Sequence, residues 1–206
     1  MELKIESFCD EGINSNTYLI YSDNECIIID PSNNLKTLKK YIENKKVLGI
    51  FITHGHFDHF KKVEELLCEY DTTVYMHKNA YKKMSDINSS CAVMFNHRVP
   101  TFIDLSKIVF IDDNKRIVLN DFIIKCLYLP GHSNCSIGYL IDNNLFIGDV
   151  LFLSTIGRYD LPTGNFIILR QTLDKIKKLD KNLMIYPGHD FSFKLEYALK
   201  FNDYLK

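Results

Sequence analysis

Thr53-His-Gly-His-Phe-Asp-His-Phe60 places three histidines and one carboxylate within six consecutive positions, His54 to His59. Such a density of imidazole and carboxylate is a metal signature with an explicit mechanism. It follows Val47-Leu-Gly-Ile-Phe-Ile52, a short apolar run of the kind that forms a buried strand, so the cluster is expected on the loop at that strand's C-terminal end. Sites in open α/β sheets form at such ends.

Spacing limits how the four side chains act together. On an extended chain His54 and His56 share a face, whereas Asp58 and His59 reach the same region only if the chain turns, which Gly55 permits. One small ion does not readily take four ligands from so short a segment. Two adjacent ions are therefore expected, His54 and His56 on one, Asp58 and His59 on the other. Imidazole and carboxylate suit zinc, with iron or manganese as the alternatives.

The chain of 206 residues, 46% of them hydrophobic, is long enough for a full core and is read as one domain over residues 1–206. A formal net charge of -1, with basic and acidic residues interspersed, gives no electrostatic footprint for nucleic acid. No leader pattern opens the sequence and no run of about eighteen apolar residues interrupts it, so a cytoplasmic protein without a membrane span is expected. Six scattered cysteines without a CxxC pair read as reduced thiols, and Cys135 alone lies near a histidine of interest.

Residues 3–8 alternate as a strand, 17–22 and 25–30 form a hairpin about Asp23-Asn24, and 35–45 has helical spacing. Asp30, ending an isoleucine run, is either a turn residue or an orienting partner for a ligand histidine. Beyond the cluster, a helix over 62–70, a strand over 73–76 and a helix over 77–84 are expected. The segment 85–100 lacks periodicity and reads as an insertion or lid with an apolar face, Cys91–Phe95 being a lid or a homodimer contact and His97 taking a surface or loop role, with reach to substrate as the alternative. A second half has strands near 108–111, 116–119, 122–129, 136–141 and 145–147, a helix over 166–178, a strand over 183–186 and a final helix over 192–205. Two strand-rich halves that each end in helices point to a layered α/β architecture.

Three further donors follow apolar runs in that half: His132 after Leu129-Pro-Gly, Asp149 after Gly148, and His189 after Tyr186-Pro-Gly. Singly each is ordinary turn chemistry. With the first cluster they make five histidines and two aspartates able to converge at one edge of the sheets.

His-x-His-x-Asp-His at 54–59, Pro-Gly-His-Ser at 130–133, Gly-Asp at 148–149 and Pro-Gly-His-Asp at 187–190, in that order, resemble the metallo-β-lactamase fold superfamily over nearly the whole chain. Gly148-Asp-Val-Leu-Phe152 followed by Ile156-Gly-Arg-Tyr-Asp-Leu-Pro-Thr-Gly164 is similar to the small glyoxalase II-like hydrolases. The resemblance implies an α/β (α+β) fold, a four-layer αββα sandwich. It implies one ion on His54, His56 and His132, a second on Asp58, His59 and His189, and Asp149 bridging both. Three local departures stand out: Ser133-Asn-Cys135 after His132, Asp190-Phe-Ser-Phe193 after His189, and Pro31-Ser32 after Asp30. The sequence extends about one helix past His189, so the glutathione-holding domain of a glyoxalase II is not expected.

Two cations roughly 3.5 to 4 Å apart would hold a bridging hydroxide at neutral pH, polarise a carbonyl and stabilise a leaving group. The expected reaction is hydrolysis of a small-molecule thioester, ester or lactone, with Asp58 as ligand and catalytic orienter. Arg158 is a candidate substrate clamp, or a surface partner of Asp160, and Tyr159 a second candidate contact. The alternative is a persulfide dioxygenase holding one iron through His54, His132 and Asp149. A secreted β-lactamase fits poorly with Asp149 and the missing leader. A structural zinc module would close its coordination with four ligands, fewer than this set offers.

Overall fold

The computed structural model describes residues 3–99 and 104–206, which fold as two compact units, 1–111 and 112–206. The first contains β1 (Lys4–Cys9), β2 (Asn16–Tyr21), β3 (Glu25–Ile29), α1 (Leu35–Ile42), β4 (Lys46–Phe51), α2 (Phe57–Phe60), α3 (Val63–Glu69), β5 (Val74–Met76), α4 (Lys78–Met84) and β6 (Ile108–Phe110). Its six strands form one sheet in sequence order. β1, β2 and β3 pair antiparallel, and β3, β4, β5 and β6 pair parallel. Parallel neighbours need crossovers, supplied here by α1, by α2 with α3, and by α4. The C-terminal ends of β3, β4 and β5 therefore share one edge. The apolar run Cys26–Ile29 in β3 is wholly buried, as expected of strands with helix crossovers.

The second unit contains β7 (Arg116–Leu119), β8 (Phe122–Tyr128), β9 (Ile137–Ile141), β10 (Asn144–Gly148), α5 (Phe166–Ile176), β11 (Met184–Pro187), β12 (Phe193–Lys194) and α6 (Leu195–Phe201). Its sheet runs β12-β11-β10-β9-β8-β7. β9 is antiparallel to both β8 and β10, and β11 is parallel to β10. β8, β10 and β11 thus point the same way and end at the same edge. Leu145, Ile147, Leu169, Leu173 and Ile185 pack with Leu195 in this unit's core.

The α/β class with two sheets is the one read from the sequence, and most elements lie within a residue or two of the expected spans. Three places differ. The strand near 108–111 belongs to the first unit's sheet, because Val74, Tyr75 and Met76 pair with Ile108, Val109 and Phe110. The final helix is divided: Met184 and Ile185 pair with Lys194 and Phe193, so 193–194 is strand and the helix begins at Leu195. In the 85–100 segment a single 3-10 turn, Ala92–Phe95, is present, and Pro100 lies outside the described residues.

Candidate metal centre

In the first unit the motif begins where β4 stops. His56 has extended backbone and precedes α2, the single helical turn that swings Asp58 and His59 back toward the strand end. Gly55 is required there by packing: a Cβ would stand 2.9 Å from both the Ala80 carbonyl oxygen and Lys83 Cβ of α4. Ser15 Oγ donates to the Asp58 carbonyl at 2.8 Å, and Phe57 N–H to the Ser90 carbonyl at 2.8 Å, which pins the turn from both sides. His54, His56, Asp58 and His59 are all buried.

The proton positions follow from which atoms can only accept. Asp30 stands at the end of β3 in the left-handed region (φ 49°), with its carbonyl held by Thr17 Oγ1 at 2.8 Å. Its carboxylate accepts Thr53 N–H at 2.8 Å, Thr53 Oγ1–H at 2.6 Å and His59 Nδ1–H at 2.9 Å. Since Thr53 has spent its one proton on Asp30, its oxygen accepts from His54 Nδ1–H at 3.0 Å. Nε2 is consequently the unprotonated nitrogen of both His54 and His59, the one free to accept a metal ion. His59 Nε2 lies 3.3 Å from Asp58 Oδ2, and His54 Nε2 lies 3.0 Å from His56 Nδ1. Burial pushes the Asp30 carboxyl upward, while His59 and Thr53 pull it down. Asp30 is thus the orienting partner, and the turn-residue reading accounts only for its backbone. His77, by contrast, is structural: its Nδ1 caps α4 by accepting Asn79 N–H at 3.1 Å.

In the second unit the three donors follow β8, β10 and β11, so strand direction brings them to one edge. Gly131 has φ +132° and backs onto α5, where a Cβ would stand 2.3 Å from Leu169 Cα. The bend it makes presents His132, whose Nδ1–H donates to the Arg158 carbonyl at 2.7 Å. That again leaves Nε2 unprotonated, 3.8 Å from Asp149 Oδ2. His189 Nε2 lies 3.6 Å from the same carboxylate oxygen. Asp149 therefore stands between His132 and His189.

Arg158 contributes its backbone to His132 while its guanidinium pairs in bidentate fashion with Asp160, both bonds 2.9 Å, at an exposed position. Tyr159 packs its ring on Phe166. Cys135 is buried with its Sγ 2.9 Å from Ser133 Oγ. His97 stacks on Phe57 with ring centroids 5.0 Å apart and lines a cavity of about 700 Å³ with Lys61, Lys62 and Arg98. Two participants escape a reading of the sequence. Thr53 relays the Asp30 carboxylate to His54, and only its place before the motif hints at this. Lys83 reaches His56 with no sequence signal at all.

The donor set fits divalent metal ions: unprotonated imidazole nitrogens with carboxylate oxygens between them, and rings braced through the other nitrogen. A sequence model described as the metallo-beta-lactamase superfamily matches residues 10–189. The chain belongs to the metallo-beta-lactamase superfamily. A Bacillus subtilis protein named "Probable metallo-hydrolase YqgX" is 32% identical over 182 residues, covering 86% of this chain and 85% of its own. The hydroxyacylglutathione hydrolase of Hahella chejuensis is 32% identical over 197 residues, 92% of this chain and 65% of that protein. Among solved structures, BLEG-1, described as a B3 metallo-beta-lactamase, superposes with TM-score 0.91 at 26% identity, covering 98% of this chain and all of its own. TTHA1623, solved in a di-iron-bound form, gives 0.84 at 25% identity, covering 97% and 100%. The protein is thus a member of a metallo-hydrolase superfamily that binds metal ions. Among the described residues no helix is long and apolar enough to cross a membrane.

Proposed function

We propose that the protein is a binuclear metal-dependent hydrolase of small thioesters, or of related esters and lactones. The observation that carries this reading is the tautomer chain: Asp30, Thr53 and the Arg158 carbonyl leave Nε2 of His54, His59 and His132 unprotonated. One ion is assigned to His54, His56 and His132, the other to Asp58, His59 and His189, with Asp149 shared. Seven donors exceed what one closed structural zinc site uses. The di-iron form of TTHA1623 and the hydrolase name of the Hahella relative support two ions and a thioester. Zinc, iron and manganese all accept imidazole and carboxylate.

When bound, such an ion pair supplies Lewis acidity and an activated water. The chain's own residues do the positioning. Asp58, whose carbonyl is held by Ser15 Oγ and whose place is set by the α2 turn, would orient that water, and Asp149 would serve the donors on His132 and His189 together. Arg158, released from Asp160, offers a planar fork for an anionic substrate group, and Tyr159 is proposed as a further contact. A cytoplasmic location is part of the same proposal.

A second reading rests on a narrower set: His54, His132 and Asp149 make the two-histidine, one-carboxylate pattern of non-haem iron oxygenases, suited to a persulfide dioxygenase. Asp58→Ala separates the two, since Asp58 lies outside that triad. The hydrolase reading predicts a loss of at least about a hundredfold in thioester hydrolysis by the metal-loaded variant. Full hydrolytic activity in that variant, or a β-lactam turned over faster than any thioester, contradicts it.

A further inference from the structure

One short loop, residues 150–158, meets all three proposed ligands of the second unit. It leaves directly from Asp149, and Gly157 returns so close to the Asp149 carbonyl oxygen that a Cβ there would overlap it. The next residue, Arg158, gives its carbonyl to His132 Nδ1–H at 2.7 Å. The Phe152 ring lies 6.5 Å from the His189 ring, centroid to centroid. Leu151 bridges Ile156, and Phe152 N–H donates to the Thr155 carbonyl at 3.0 Å, so the loop closes on itself as a small hairpin. Its tip, Leu153, Ser154 and Thr155, is exposed, and exposed tips belong to the part of a fold that opens most readily.

Asn202, at the C-terminal end of α6, holds that tip from beneath. Its side chain is wholly buried, and Nδ2 donates one proton to the Phe152 carbonyl at 3.0 Å and the other to the Thr155 carbonyl at 2.8 Å. Oδ1 accepts Tyr204 N–H at 3.0 Å, which fixes the orientation of the amide, because Tyr204 N–H only donates and the two loop carbonyls only accept. The Asn202 backbone is anchored as well, through Ala198 at 2.8 Å and Leu205 at 3.0 Å, and Leu205 packs in the core. Aspartate at this position would turn a carboxylate oxygen on two carbonyls, and leucine would leave three backbone groups unpaired. We propose that Asn202 is a positioning residue for the metal centre: its two amide protons hold the 150–158 loop shut, and the shut loop keeps the Arg158 carbonyl on His132 and the Gly157 backbone against Asp149. The inference rests on the metal-binding reading above and deepens it, adding to the site a residue far from every donor in the sequence.

The test is nitrogen-15 NMR of the histidine-labelled full chain at saturating zinc, beside dialysis of the same protein against graded dipicolinate with zinc counted per chain. The Nδ1–H of His132 is assigned by its loss in His132→Gln, and that of His59, held by Asp30 in the first unit, by its loss in His59→Gln. Asn202→Ala should speed exchange of the His132 proton with water by about tenfold or more and leave the His59 proton within about twofold of native. Zinc should be lost at a chelator concentration about tenfold lower. Leu195→Ala, a deletion in the same core whose side chain makes no hydrogen bond, should lower the melting temperature while the His132 proton and zinc retention stay near native. Asn202→Ser replaces the alanine variant if that fails to fold. An unchanged His132 proton in the folded variant, equal acceleration of the His132 and His59 protons, the same effect from Leu195→Ala, or failure of both Asn202 variants to fold overturns the proposal. A loosened His132 proton with native zinc retention, or a native protein that binds no zinc, overturns instead the reading of His132 as a ligand and leaves the hold of Asn202 on the loop standing.

Discussion

The carboxylate of Asp30 lies 2.9 Å from His59 Nδ1, and both side chains are buried. A residue 29 positions before this proposed ligand thereby fixes its tautomer, because β3 and β4 are parallel neighbours that end at the same edge. Asp30→Asn keeps the side-chain size and tolerates the positive φ, but it removes the charge behind His59 and turns one of the two acceptor oxygens that serve Thr53 and His59 into a donor. Metal affinity should fall by about ten- to a hundredfold. Titration of the metal-free variant with zinc measures it, and an affinity within twofold of the native protein contradicts the assigned role.

Each donor is legible because it follows an apolar run that ends in Gly, Pro or a turn. His132, Asp149 and His189 each satisfy that pattern at the ends of β8, β10 and β11. What is not legible depends on distant chain. Ile108–Phe110 reads as the start of the second half, yet it pairs with Val74–Met76, a parallel register that no local pattern encodes. Phe193 and Lys194 have helical neighbours, and pairing with β11 overrides them. Nothing in the sequence singles out Lys83, which the packing of α4 at Gly55 brings to within 3.4 Å of His56 Nε2.

Gly157 is held by space alone. A Cβ there would stand 1.7 Å from the Asp149 carbonyl oxygen and 3.0 Å from His132 Nδ1. Gly157→Ala must therefore push the segment 156–158 away from two proposed ligands at once. Destabilisation of about 1–3 kcal/mol is expected, together with loss of bound metal. Chemical denaturation and metal analysis of the same preparation check both, and a variant with native stability and native metal content refutes the packing argument.

Burial pushes the thiols of Cys26 and Cys126 up to about 12. At pH 8 only about one part in ten thousand of each is then the reactive thiolate. Cys9 and Cys68 are exposed. Iodoacetamide at pH 8 should label Cys9 and Cys68 in the folded protein and spare Cys26 and Cys126 until denaturant is added. Peptide mapping by mass spectrometry reads the sites, and labelling of Cys26 or Cys126 at the rate of Cys9 contradicts the burial described.

The most direct test of the two-ion hydrolase is metal content per chain, measured by elemental analysis on protein purified without added metal. The same sample is assayed for thioester hydrolysis and for oxygen uptake with a persulfide. Two equivalents of zinc, iron or manganese with hydrolysis is the result predicted. One equivalent of iron, with oxygen consumed and no thioester hydrolysed, would contradict it.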